Sequence, residues 1–146
     1  MIEVRRNTSA PADRVWNVLA DGWTYPAWVV GAARMRSVGA DWPAVGAELH
    51  HSLGAWPLLL NDVTRVLDVR IGRELVLYGH GMPVGDMKIQ VVLESRDGGG
   101  CEIVMREDAV AGPARLVPPP VRAVLIKRRN IEALRRLAHL AEGGAR

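Results

Sequence analysis

The chain lacks several features that would assign it to a protein class directly. No stretch of about 18 apolar residues occurs in its 146 residues, so no membrane-spanning helix is predicted. Cys101 is the single cysteine and has no partner for an intramolecular disulfide. The N-terminal segment lacks the basic-then-apolar order of a signal peptide, and together with the lone cysteine this favours the cytoplasm.

The motifs of the common catalytic and nucleotide-binding sites are also missing. There is no Gly-x-Ser-x-Gly nucleophile motif, no P-loop and no glycine motif for dinucleotides. The adjacent His50 and His51 would point to opposite faces of a strand, so they could not hold one ion together. We therefore predict no cofactor and no metal site.

The composition indicates one ordinary globular domain over residues 1–146. Hydrophobic residues make up 49% of the chain and charged residues 24%, and the net charge is +3. The basic residues are concentrated near the end: residues 120–146 have a balance of +5 and residues 1–119 a balance of −2. A solvated helix face explains this most simply, with an anionic partner as the alternative, and no nucleic acid partner is predicted.

The last long segment predicts an amphipathic helix from Pro118 to about Glu142. The three prolines at 118–120 suit its first turn, and no further glycine or proline follows until Gly143. At the helical period, alanines, leucines and Ile131 share one face, and arginines with Glu132 share the other. Such a helix needs a broad apolar surface to lie on.

The preceding chain predicts that surface. A strand over 2–8 is followed by a helix starting near Pro11 and ending at Asp21–Gly22, and then by a short aromatic helix around Trp23–Trp28. Glycines, prolines and aspartates then separate six apolar or alternating segments. Their short connections make neighbouring strands antiparallel. The six predicted strands are 33–38, 46–53, 58–69, 74–80, 86–95 and 101–110. The order predicts a two-layer α+β domain in which a seven-stranded antiparallel sheet curves around the long helix, with two short helices between the first and second strands.

This order, with Val15-Trp16 on the first helix, Arg73-Glu74-Leu75 entering a strand, Glu107 to Pro113, and Arg129 to Leu134 on the last helix, resembles the START-like (SRPBCC, helix-grip) superfamily. The closest branch is the bacterial polyketide cyclase/dehydrase and lipid-transport group. The resemblance covers nearly the whole chain and implies a hydrophobic cavity between sheet and helix for lipids, polyketides or similar molecules. It does not decide between enzyme, carrier and regulator.

Strand alternation predicts which polar side chains enter that cavity. His51 shares a face with Leu49 and Leu53, Arg65 with Val63, Leu67 and Val69, and Glu107 with Ile103 and Met105. On the long helix, Lys127 and Asn130 fall near the apolar centre at Leu134. Because an unpaired buried charge is costly, these groups should pair internally (Glu107 with Lys127 or Arg65), reach the rim, or orient the polar end of a ligand.

Three functions remain open from the sequence. The first is binding of a small hydrophobic molecule, by a monomer or a homodimer. The second is a cyclase or dehydratase in the same cavity, with Glu107 or His51 as acid or base. The third is an interaction module that uses the arginines of the outer helix face (Arg128, Arg129, Arg135 and Arg136). The predicted ligand-binding residues are Trp28, His51, Arg65, Tyr78, Met87, Ile89, Met105, Glu107, Lys127, Asn130 and Leu134, although alternation does not fix the face of Tyr78.

Overall fold

The structure, a computed structural model, describes residues 1–53, 60–81 and 85–144. Across these residues seven strands form a single sheet in the order β1-β7-β6-β5-β4-β3-β2, and all neighbours are antiparallel. The strands are β1 (Ile2–Thr8), β2 (Ala32–Val38), β3 (Glu48–Leu53), β4 (Leu60–Arg70), β5 (Glu74–Gly81), β6 (Gly85–Ser95) and β7 (Cys101–Ala111).

Irregular pairing bends this sheet. Register shifts interrupt β2 at two points, β4 between Val66 and Asp68, and the end of β7, where Asp86 and Met87 of β6 pair with Ala111 and Ala109. A bulge bends its strand and increases the local twist, so these interruptions curve the sheet towards one side. The concave face receives the helices.

Two short helices connect β1 to β2. Helix α1 (Ala12–Ala20) buries Val15, Trp16 and Leu19, the stripe that its sequence predicts. After a turn of 3₁₀ helix at Gly22–Thr24, helix α2 (Tyr25–Trp28) buries both of its aromatic residues. The rings of Tyr25 and Trp28 meet edge to face with centroids 5.5 Å apart, and the Tyr25 ring also contacts the His51 ring of β3, which places α2 against the concave face.

Helix α3 (Pro119–His139) lies across the concave face, after a 3₁₀ turn at Pro113–Leu116. Its second half is in the main core, where Ala133, Leu134 and Leu137 pack among inward residues of β5, β6 and β7. Its first half buries Ile126 and Asn130 and leaves two valines and a leucine exposed. The two halves of α3 therefore have different surroundings.

The predicted α+β helix-grip fold is confirmed. The strands begin and end close to their predicted positions, and the predicted helix ends at His139, where a π-helical turn over Leu140–Gly144 takes over. The first two residues of the predicted strand 58–69 lie outside the described residues. Within the described ranges, no helix has the length and apolar character needed to cross a bilayer.

Candidate functional site

A cavity of about 340 Å³ lies between the concave face and the first half of α3. Its wall is mostly apolar and includes Trp28, Met87 and Ile89. The space exists partly because small residues face it: Gly79 on β5 and the alanines of β7 and α3 at positions 109 and 133. Large side chains at these positions would fill a concave surface, so their small size leaves room for a molecule.

His51 reaches the cavity from β3, on the same face of the strand as the buried Leu49. Its side chain is 1% exposed, and its Nε2 lies 2.9 Å from the Thr64 hydroxyl oxygen. Its Nδ1 has no hydrogen-bond partner among the described residues. Burial, helped by the nearby Arg36 cation, lowers the pKa of His51 to about 4, so the imidazole is neutral near pH 7. One ring nitrogen is thus buried without a hydrogen-bond partner among the described residues.

Tyr25 and Thr64 complete this first polar cluster. The hydroxyl oxygens of Tyr25 and Thr64 are 3.4 Å apart, and the Tyr25 ring lies 4.9 Å from that of His51. Burial raises the pKa of Tyr25 to about 12, so its phenol keeps its proton and can donate a hydrogen bond.

Asp62 lies opposite His51 in the pairing of β3 with β4. The Asp62 Oδ2 is 3.9 Å from His51 Nε2, and its other oxygen accepts from the Val63 backbone NH at 2.7 Å. Burial raises the pKa of Asp62 to about 6, and that single backbone bond offsets only part of the effect. The cavity wall therefore holds a carboxyl group that exchanges a proton close to neutral pH.

Glu107 forms the second polar cluster, on the side of α3. Its side chain is 4% exposed; its Oε1 accepts from the Asn130 amide at 2.8 Å and lies 2.5 Å from an Arg129 guanidinium nitrogen. Both partners come from one turn of α3, so this ion pair joins the helix to β7. The positive charge of Arg129 therefore compensates the buried carboxylate of Glu107.

The structure brings seven of the predicted ligand-binding residues onto the cavity wall. They are Trp28, His51, Met87, Ile89, Met105, Glu107 and Asn130. Their contact with a ligand stays a prediction.

Arg65 and Tyr78 lie on the outer face of the sheet, away from the cavity. The prediction that Arg65 faces the cavity was therefore wrong. Inward positions of β4 are Asp62, Thr64 and Val66, which are all buried, whereas Arg65 is exposed. The apolar Val63 and Leu67 suggested the wrong alternation, and the bulge after Val66 then changes the face of the strand end. Arg65 and Tyr78 instead border a shallow surface depression with Glu48, Val63 and His80.

Lys127 and Leu134 are also absent from the cavity wall. Leu134 is fully buried, but it lies in the packed core under the second half of α3. Lys127 is exposed, because the buried face of α3 is centred closer to Asn130 and Leu137 than to Leu134. The expected pairing of Glu107 with Lys127 or Arg65 is therefore wrong, and Arg129 takes that place.

Five polar wall residues were not predicted as site residues: Tyr25, Asp62, Thr64, Arg122 and Arg129. The sequence pattern placed Asp62 and Thr64 on the solvent-facing side of β4, and it placed Arg129 on the solvent-facing side of α3. Only the pairing of β3 with β4 places Asp62 and Thr64 inward: Asp62 lies opposite His51 and Thr64 opposite the buried Leu49, and this register cannot be read from β4 alone.

The outer face of the sheet, as far as the structure describes it, carries a separate cluster of polar side chains on β5 and β6. The Tyr78 hydroxyl donates to Asp86 Oδ2 at 2.5 Å, and His80 Nδ1 contacts the other carboxylate oxygen. This hydrogen bond from Tyr78 lowers the pKa of Asp86 and raises the pKa of Tyr78. These side chains satisfy one another in contact with solvent.

Comparisons with known proteins agree with this architecture. A family model described as "Polyketide cyclase / dehydrase and lipid transport" matches residues 1–142. No curated protein sequence matches the chain.

Similar solved structures include the Zhui aromatase/cyclase from Streptomyces sp. R1128, with 21% identity, a TM-score of 0.70, and coverage of 99% of this chain and 94% of that one. Protein CV1439 from Chromobacterium violaceum has 19% identity and a TM-score of 0.71, with coverage of 97% and 96%. DynU16, a putative protein in the dynemicin biosynthetic locus, has 19% identity and a TM-score of 0.71, covering 98% of this chain and 47% of that one. At these identities the structures show the shared fold, and the sequence match shows the family: the chain belongs to the polyketide cyclase / dehydrase and lipid transport family.

Proposed function

We propose that this protein binds a small hydrophobic molecule, of lipid or polyketide type, in the cavity under the first half of α3. The main support is the cavity itself: about 340 Å³ of space with a mostly apolar wall and polar groups gathered in two places. Ligand pockets generally span roughly 300–1,000 Å³ and combine an apolar lining with a few polar groups. The volume favours a compact ligand over a long acyl chain.

The polar groups favour a ligand with one neutral polar end. His51 is uncharged near pH 7 and has one nitrogen without a partner among the described residues. Glu107 is already compensated by Arg129 and Asn130. A hydroxyl or carbonyl group placed at His51 would gain a hydrogen bond without burying a new charge.

Filling the cavity should strongly weaken binding. Ala133 is buried on the cavity wall, so Ala133→Phe would occupy the space a ligand needs. We expect the affinity for a displaceable apolar fluorescent dye to fall by about tenfold or more. Ala123→Phe is the matched control, because Ala123 is on the same helix and does not line the cavity.

Native mass spectrometry of protein purified from its own host tests for a co-purifying apolar compound.

Unchanged dye affinity in Ala133→Phe, with the variant folded by circular dichroism, would contradict the proposal. Equal losses in both variants would point to a general effect of larger side chains in α3.

Catalysis of a cyclase or dehydratase type in the same cavity is the second candidate. It is favoured by the pKa of Asp62 at about 6, because a carboxyl group with a pKa near the working pH can both take up and release a proton, and by the neutral His51 beside it. The name of the Streptomyces aromatase/cyclase fits this candidate. Turnover of a poly-carbonyl compound that is lost in His51→Gln while affinity is kept would favour the enzyme, and binding without turnover would favour a carrier.

A further inference from the structure

The first half of α3 has a second apolar face, which points to solvent. Val121 is 51% exposed, Val124 52% and Leu125 59%, and Leu116 on the preceding 3₁₀ turn is 86% exposed. Spacings of three and four residues place the α3 members on one side of the helix, opposite the buried Ile126. A surface helix normally exposes polar residues there, so this apolar stripe requires an explanation.

The same region is strongly basic. From Ala109 to Ile131 the sequence contains five lysines and arginines and no acidic residue. Arg122 is paired with Asp108, and Arg129 with Glu107. Among the described residues no carboxylate lies within ion-pair distance of Arg115, Lys127 or Arg128, and all three are exposed. We call these three cations, with Leu116, Val121, Val124 and Leu125, the apolar-basic face.

The second half of α3 differs from the first. Its exposed Arg135 contacts Glu132 at 2.7 Å, and Arg136 contacts the same carboxylate at 3.1 Å. These arginines are satisfied within the helix, so the outer face that is available to a partner is the first half. The arginine-rich interaction surface that the sequence predicted is therefore limited to the first half of α3.

The apolar-basic face is continuous with the cavity. Leu125 belongs to both, and Val117, just before α3, and Arg122, in its first turns, line the cavity as well. A surface that covered this face would therefore lie at the rim of the cavity.

We propose that the apolar-basic face docks on the surface of an anionic lipid bilayer. Exposed aliphatic side chains gain by entering the interfacial layer, and each lysine or arginine gains from anionic head groups. A second copy of the chain is a poorer partner, because two faces without acidic residues would repel one another. A protein partner is also less suited, because leucine and valine are under-represented among residues that dominate protein interfaces. Given the proposed binding of an apolar ligand in the cavity, this ligand would then pass between the bilayer and the cavity with little exposure to water.

Vesicle sedimentation tests this proposal. The protein should sediment with vesicles of phosphatidylcholine mixed with phosphatidylglycerol, and far less with vesicles of phosphatidylcholine alone. Added salt should weaken the binding, since exposed charges are screened. Lys127→Glu combined with Arg128→Glu should reduce the apparent affinity by about tenfold or more. Arg96→Glu, an exposed arginine in the turn at the far end of the sheet, is the control and should have a much smaller effect.

The apolar part has its own pair of variants. Leu116→Glu and Val124→Glu should each reduce vesicle binding, because a charged side chain cannot enter the interfacial layer. The control is Ile71→Glu, which changes an isoleucine that is 83% exposed in the turn between β4 and β5, away from the cavity. Binding that is equal in Val124→Glu and Ile71→Glu would overturn the proposal.

Two further outcomes separate this proposal from ligand binding. Ala133→Phe, which fills the cavity, should still bind anionic vesicles, because Ala133 is not part of the apolar-basic face. No sedimentation with anionic vesicles at low salt would overturn docking and leave ligand binding untouched. Capture of an acidic protein by a chain that does not bind vesicles would also overturn it and identify a different partner class.

Discussion

Each face of the sheet has an aspartate, a histidine and a tyrosine close together, but the two environments shift the pKa of the aspartate in opposite directions. On the concave side, burial raises the pKa of Asp62 to about 6 and that of Tyr25 to about 12. On the outer side, the hydrogen bond from Tyr78 lowers the pKa of Asp86. The outer groups are satisfied by one another and by water. The inner groups are desolvated with few partners, which is the condition in which a polar ligand group or a proton transfer has the largest effect.

The largest contrast should appear when one acidic partner is removed from each face. Glu107→Ala takes the acceptor away from the buried Asn130 amide and leaves a small void, so the free energy of unfolding should fall by about 2–3 kcal/mol. Asp86→Ala on the outer face should cost much less, because Tyr78 and His80 can turn to water. Urea denaturation measures both, and equal losses would mean that burial does not distinguish the two faces.

The second effect is a pH dependence of the free energy of unfolding, to which His51 and Asp62 contribute with opposite signs. His51 has a folded pKa of about 4 against an ordinary 6.5, so the unfolded chain binds the extra proton and stability rises with pH across that window. Asp62 has a folded pKa of about 6 against 3.8, so the folded chain holds the extra proton and stability falls as pH rises. In Asp62→Asn the rise due to His51 should stand alone, on the order of 1–2 kcal/mol.

Denaturation of the parent and variants at several pH values between about 4 and 6.5 tests this sign. His51→Gln should give the reverse slope. Asp86→Asn should leave the slope in this window unchanged, because the pKa of Asp86 is lowered and its contribution is lost only at more acidic pH. A slope in Asp62→Asn equal to that of the parent would contradict the environments assigned to both inner groups.

The smallest effect concerns the two tyrosines, the only ones in the chain. In Tyr78→Phe the remaining Tyr25 should ionise near pH 12, because its phenol is buried. In Tyr25→Phe the remaining Tyr78 should ionise above its ordinary 10.0, and adding Asp86→Asn should return it towards that value. Ultraviolet absorbance of the tyrosinate measures both. If Asp86→Asn left the titration of Tyr78 unchanged, the hydrogen bond would not be its cause.

The prediction of the elements from sequence succeeded because local patterns specify them. Glycine, proline and aspartate mark the ends of the strands, and the proline triplet at 118–120 starts α3. The inward face of β7 was equally clear, because Ile103, Met105 and Glu107 alternate without a bulge within that part of the strand. On β3 the buried Leu49 likewise indicated the direction of His51.

The prediction failed where a local pattern was consistent with both faces. On β4, Val63 and Leu67 are apolar but lie on the outer face, which a protein surface tolerates readily. The polar Asp62 and Thr64 face inward because the cavity supplies space and partners, and nothing in β4 alone indicates this. Lys127 was misplaced because the helical period gives relative directions, while the packing of α3 on the sheet sets the centre of its buried face.

The amino-acid sequence by itself determined the order of the strands and helices, the amphipathic α3 and the family, because these depend on patterns between residues near one another in the chain. The tertiary structure decided where the sheet bends, which face of β4 is buried, and that Arg129 meets Glu107. These depend on contacts between distant segments, and so does the cavity, which exists because small residues of β5, β7 and α3 come to face the same space.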